Sequence, residues 1–245
     1  GLPQQTAEDL KFFNELLWTL PAIAGLSGAT FRIPQAFLIG IGGGRNVVFL
    51  STLLLIIPSV GAGFALQNIH TPYYVFAMLA VFSGFGGGNF ASSMSNISFF
   101  FPKRLQGTAL GLNAGLGNLG VSVMQFLIPV VITAGFFGTP AGAGLPLVEV
   151  DGTKAIGTLV FIQNAGCLWT PFLIMSAIAA FFGMNNLKTA TPELGNYAAE
   201  FLKIALLMTF GLIAAGIGAY LLTALKWNMW FVLPATIILV LIFMK

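Results

Sequence analysis

Seven apolar runs, at about 17–43, 47–67, 73–101, 107–137, 159–183, 202–225 and 228–244, take up most of this 245-residue chain. A helix needs about 20 mostly apolar residues to cross about 30 Å of hydrocarbon, and these runs have that length or come close to it. Only ten Lys and Arg and seven Asp and Glu are available to wet the surface, 7% of all residues, where soluble domains carry about 25%. A water-soluble globular enzyme is thereby excluded. In hydrocarbon every backbone polar group must be satisfied within the chain, so runs of this kind fold as helices. The expected fold is an all-α polytopic membrane bundle of about seven transmembrane helices.

The third and fourth runs are long enough to tilt or to extend past the bilayer. The sixth and seventh are separated only by Lys226-Trp227-Asn228 and read as a tight helical hairpin or one broken helix. Residues 138–158, rich in Gly and Pro, read as an irregular loop. Alternate loops divide the charge. One set holds Arg45, Lys103 with Arg104, Lys188 with Lys203 nearby, and Lys245; the other holds Lys11 beside Glu8 and Asp9, His70, then Glu149, Asp151 and Lys154, and Lys226. Short cytoplasmic loops retain Lys and Arg, so the first set marks the inner side of the cell membrane and the amino terminus lies outside. That placement points to a missing preceding helix.

The same composition narrows the chemistry. A lone cysteine, Cys167, and a lone histidine, His70, cannot build a thiolate or imidazole metal site. Basic residues stand singly or in pairs, with no stripe to track phosphates, so nucleic acid is not an expected partner. No nucleophile–base–acid set exists, and neither catalysis, metal nor cofactor is expected.

One residue stands out for its cost. Arg32 lies near the middle of the first run, within Ser27-Gly28-Ala29-Thr30-Phe31-Arg32-Ile33-Pro34-Gln35. A guanidinium at that depth costs about 2.5–3.5 kcal/mol on insertion scales, so it faces protein, water or an anion rather than lipid. A structural ion pair or capture by carbonyls would satisfy it. The other runs supply no central Asp or Glu, however, and Glu15 and Glu200 sit at run edges. An unpaired planar fork of donors is suited to a small oxyanion, which it grips bidentately. The lack of intramembrane carboxylates also favours anion exchange or uniport over proton symport.

The third run carries Gly84-Phe85-Gly86-Gly87-Gly88-Asn89-Phe90, and the fourth Gly111-Leu112-Asn113-Ala114-Gly115-Leu116-Gly117-Asn118-Leu119-Gly120. Gly115, Gly117 and Gly120 match a dinucleotide fingerprint in form only, because no strand precedes them and no acid follows before Glu149. Gly107, Gly111 and Gly115, like Gly84 and Gly88, recur at the four-residue spacing that permits close helix crossing. Bare backbone at Gly117 beside Asn89, Asn113 and Asn118 can also bring amide donors to an anion, although each asparagine serves equally as an interhelical hydrogen bonder. Phe90 adjoins the glycine run, where its ring can clamp a flat ligand. Ser92, Ser93 and Ser95 are expected to bond back to their own helix.

On these residues the chain resembles a known family. Ser27–Ala36 with Arg32, the Gly42-Gly43-Gly44-Arg45 turn, Gly84–Met94 followed by Phe99-Phe100-Phe101-Pro102-Lys103, and Gly107–Val123 are similar to the amino-terminal half of the nitrate/nitrite porter family of the major facilitator superfamily, helices two to six. The stretch Ala114–Gly120 looks like that family's glycine-rich nitrate signature. The resemblance implies that Arg32 is one of two anion-binding arginines, Phe90 one of two rings sandwiching a planar substrate, and Asn118 a polar contact from the signature helix. It implies nitrate or nitrite as substrate.

The resemblance runs from about Ser27 to Met184, within a porter-like amino-terminal half bundle at 1–184; residues 185–245 read as two additional helices of unrecognised origin. Such porters usually have twelve spans, and a second binding arginine and ring have no counterpart here. Two expectations follow. Either the chain is an incomplete porter needing another membrane protein chain or a second copy, or it is a porter-derived, non-transporting subunit of a larger membrane assembly. The costly Arg32 and the signature favour the first.

Overall fold

The computed structural model describes residues 7–68, 70–137, 142–147, 156–187 and 196–244, and for 7–15 and Tyr197 the backbone alone. Loop residues Glu149, Asp151, Lys154 and Lys188, and Lys245, lie outside the described residues, as do the side chains of Glu8, Asp9, Lys11 and Glu15.

Prolines set the joints. Helices α1 (Ala7–Gly42), α2 (Gly44–Leu54) and α3 (Ile56–Ala65) are followed by α4 (Tyr73–Phe100) and α5 (Lys103–Val131). Pro58 has no N–H to offer Leu54, four residues back, and Leu54 is where α2 ends. The same rule separates α6 (Asn164–Cys167) from α7 (Trp169–Gly183), because Pro171 leaves Cys167 without its donor. Pro72 and Pro102 occupy the N-cap positions of α4 and α5, where no intrahelical N–H is needed. The chain ends in α8 (Tyr197–Thr223) and α9 (Met229–Phe243).

Among the described residues, six spans are long and apolar enough to cross a membrane: Leu16–Gly42, Gly44–Ala65, Tyr73–Phe100, Lys103–Val131, Asn164–Gly183 and Ala198–Thr223. The all-α membrane bundle is thus as expected, and the chain is an integral membrane protein. The seventh run falls short, since α9 has 15 residues, about 22 Å at 1.5 Å per residue. Helices α8 and α9 form a hairpin rather than one broken helix. Its turn places Lys226 at φ 52, Trp227 N–H donates to Leu221 O at 3.0 Å, and Asn228 caps α9 by accepting from Trp230 N–H at 3.0 Å. The loop expected to be irregular contains β1 (Leu145–Pro146), which pairs antiparallel with β2 (Leu159–Val160) at the start of the fifth run.

Helix α1 is the hub. Its Ile23, Phe31, Leu38 and Ile39 bury against Val81 and Phe85 of α4 on one side and Ile204, Met208 and Ala215 of α8 on the other. The α1–α4 crossing is as tight as the glycine spacing predicts. A methyl added at Gly87 would stand 2.8 Å from Gly28 Cα, and the side chains of Ser27 and Gln35 occupy the space beside Gly84 and Gly88. By contrast, Gly107, Gly111 and Gly115 of α5 have nothing within 4 Å, so the close crossing expected of that stripe is not made among the described residues. Ser92 and Ser95 also depart from expectation. Ser92 Oγ donates to Gln35 Oε1 on α1 at 2.8 Å, and Ser95 Oγ to Ala36 O at 3.3 Å, because the glycine-lined crossing brings α1 within reach.

Candidate functional site

Arg32 stands ten residues before the end of α1, about 15 Å along the axis and so near the middle of a bilayer core. Its side chain is exposed, on a face of α1 shared with Gly25, Ala36 and Gly40. No carboxylate pairs with it among the described residues. Its Cζ lies 5.9 Å from the centroid of the Phe90 ring on α4, at the outer edge of cation–π distance. This pairing follows from the crossing: Arg32 is one helical turn beyond Gly28, and Phe90 about one turn beyond Gly87.

The signature helix meets Phe90 from the other side. A methyl at Gly117 would sit 3.8 Å from Phe90 Cε2, so the bare backbone of α5 provides a floor for the ring. One turn earlier, Asn113 Nδ2 donates to Ser93 Oγ at 3.0 Å, and Ser93 Oγ in turn donates to Phe90 O at 2.8 Å. Arg32, Phe90, Gly117 and Asn113 therefore form one connected group, bridged by Ser93. The sequence reading gave Ser93 only the bond to its own helix; the second bond depends on α5 standing opposite. Asn118 is exposed on α5.

Asn89 does not join this group. A residue next to Phe90 is turned about 100° around the helix, and Asn89 Nδ2 donates to Thr52 Oγ1 on α2 at 3.2 Å. Its Oδ1 is buried with no partner. The interhelical role that asparagine can fill anywhere is the one Asn89 fills here.

Chemically, the group presents a delocalised cation whose donors are free, beside an aromatic face on a rigid glycine floor. A flat anion can accept two parallel N–H bonds from the guanidinium while lying against the ring. Among the described residues no cluster of His, Cys, Asp and Glu is grouped to hold a metal ion.

The structure also holds a buried charge that the sequence does not reveal. Glu200, in the first turn of α8, is 7% exposed, and neither carboxylate oxygen has a hydrogen-bond partner among the described residues. Its neighbour one turn on, Ile204, fills the space beside Gly42, which sets Glu200 near the end of α1, far along the axis from Arg32. Being at the edge of a run gave no sign that it would be covered.

No protein-family model matches the chain. Among curated proteins it is 44% identical over 207 residues to "Nitrate/nitrite transporter NarU" of Salmonella typhimurium, a match covering 82% of this chain and 43% of the relative. The protein of that name in Escherichia coli K12 is 43% identical over the same coverage. "Probable nitrate/nitrite antiporter NarK2" of Thermus thermophilus is 43% identical over 188 residues, 77% of this chain and 41% of the relative. The chain spans less than half the length of these relatives. Identity of this order, spread over most of the chain, makes it a member of the nitrate/nitrite porter family of the major facilitator superfamily.

Proposed function

We propose that the chain carries one side of the anion path of a nitrate/nitrite transporter and acts with a further membrane chain, or a second copy, that supplies the facing side. The observation that carries this reading is Arg32: a mid-span guanidinium without a carboxylate, set over Phe90, which rests on Gly117. Asn113 positions the ring through Ser93, Asn118 on the open side of α5 is the further donor to the anion, and Asn89 acts through packing alone. The relatives' printed names, nitrate/nitrite transporter and antiporter, agree with this substrate class, and exchange or uniport needs no proton relay beside the anion.

The need for a facing side rests on α5. Its Gly107, Gly111, Gly115 and Gly120 border open space, and Leu112, Leu116 and Leu119 are exposed. Alternating access requires one bundle to rock against another around a central site. Residues 1–184 are the porter-like part in this reading, and of the two helices beyond them α8 shares the core of α1. Orientation follows from the two ends of the bundle. Arg45, Lys103, Arg104 and Lys203 gather at one end, while Trp18, Tyr74, Trp169, Tyr220, Trp227 and Trp230 gather at the other. Basic residues mark the inner face and aromatic rings settle at headgroup level. The amino terminus of α1 is then on the outer side of the cell's inner membrane.

The test is nitrate binding to the purified chain and nitrate flux in vesicles. Arg32→Lys keeps the charge but removes the planar fork, and we expect nitrate affinity to fall at least about tenfold. Equal affinities for parent and variant would overturn the bidentate grip. Uptake that appears only with a partner half supports the incomplete porter; no uptake under any pairing supports the structural subunit instead.

A further inference from the structure

Two cavities adjoin at the aromatic end of the bundle, sharing Leu16 and Tyr73 as a common wall. The first, about 420 Å³, is lined mainly by apolar groups, among them Leu20, Ala65, Pro72, Phe76 and Ile162. The second, about 530 Å³, is bordered by Thr19, Thr223 and Lys226. Thr19 Oγ1 and the Tyr73 hydroxyl are hydrogen-bonded to each other in the shared wall. The pair of cavities is thus amphipathic, with a greasy chamber beside one whose wall adds three hydroxyls and a cation to Leu16, Leu222 and Ala224.

Lys226 is the unusual member. It is the described non-glycine residue with positive φ, at 52°, in a conformation that Gly or Asn commonly fills at a helix end. A lysine there costs the turn something, and no acidic side chain among the described residues pairs with it. What it does provide is a positive charge over the second cavity, at the level where Trp227 and Trp230 meet the headgroups.

We propose that the two cavities together bind an anionic phospholipid, its acyl portion in the chamber lined by Leu20 and Phe76 and its phosphate at Lys226, with Thr19, Tyr73 and Thr223 bordering the headgroup. A membrane protein meets lipid everywhere, but charge complementarity singles out an acidic headgroup here, and the aromatic belt fixes the depth at which that headgroup lies.

The test uses the full chain in mild detergent, titrated with phosphatidylglycerol or phosphatidylcholine of identical acyl chains and read by native mass spectrometry. The parent should bind phosphatidylglycerol about fivefold more tightly, as expected for one lysine near an anionic headgroup. Lys226→Gln, an exposed change, should erase that preference and leave phosphatidylcholine binding unchanged, whereas Lys226→Arg should keep it. Leu20→Trp, which fills the apolar chamber, should weaken both lipids. Glycerol phosphate without acyl chains should not compete. A parent that does not discriminate, a Lys226→Gln variant that still does, or displacement by glycerol phosphate would each overturn the assignment.

Discussion

Replacing Gly87 by alanine tests the crossing on which the candidate site depends. The added methyl would lie 2.8 Å from Gly28 Cα and 2.9 Å from Gly28 O, whereas carbon atoms settle at about 3.5–4.0 Å. Both near atoms are backbone, so no side chain can swing aside, and α1 and α4 must part by roughly 0.7–1 Å. Overpacking of this kind costs about 1–3 kcal/mol, and the better helix propensity of alanine returns about 1 kcal/mol. The net change is then a loss of about 0–2 kcal/mol. Gly115→Ala is the internal control, because nothing lies within 4 Å of it and only the propensity gain of about 1 kcal/mol applies. The two variants should differ by about 2 kcal/mol, roughly thirtyfold in an unfolding equilibrium, measured by tryptophan fluorescence in identical micelles. Parting the helices also moves Phe90 from Arg32, a pair already at 5.9 Å, so nitrate binding should weaken in Gly87→Ala alone. If both variants shift alike, the close backbone approach is not what holds α1 on α4.

The remaining expectations concern other parts of the fold. Gly115→Ala should become harmful once a facing half is present, abolishing flux or association while leaving the isolated chain intact; if co-expressed and isolated forms respond alike, α5 has no partner there. Glu200→Leu should raise stability by about 1–3 kcal/mol, because it removes a covered carboxyl group whose oxygens have no donors; a lower melting temperature would mean that the acid does bind something. Asn164→Ala should cost about 1–3 kcal/mol, since Asn164 Nδ2 donates to Val131 O and Ala134 O at 2.9 and 2.8 Å, where α5 ends. Chemical unfolding of the variant at equal detergent concentration measures it.

Arg32 was legible because a charge in hydrocarbon has a large cost of its own, independent of neighbours. The crossing at Gly84–Gly88 was legible for a similar reason: glycine at four-residue spacing permits one thing that larger residues forbid. Phe90 followed as the ring adjoining that crossing. Asn89 could not be read this way. Its bond to Thr52 depends on where α2 stands, and adjacent residues on a helix point about 100° apart, so the sequence left its interhelical and anion-contact readings equal. Glu200 was not legible either, since a carboxylate at a run edge looks solvated until α8 is laid along α1 and Ile204 is seated on Gly42.

The glycines of α5 mark where such reasoning stops. Gly84 and Gly107 stand in the same pattern and have the same propensity, yet one is filled by Ser27 and the other borders open space. The difference cannot lie in the apolar residues around them, because hydrocarbon solvates Leu112 and Leu116 as well as a packed helix would. It lies in what the neighbouring helix offers. Ser27 donates to Val81 O across the first crossing, whereas α5 sends polar groups toward α4 only from Gln106 and Asn113. In a membrane the polar residues therefore decide which small-residue faces are closed within the chain. An α5 face with small residues and no internal polar partner, four residues from Asn118 at Ala114, is the surface on which a completing half would have to supply both the packing and the second grip on the anion.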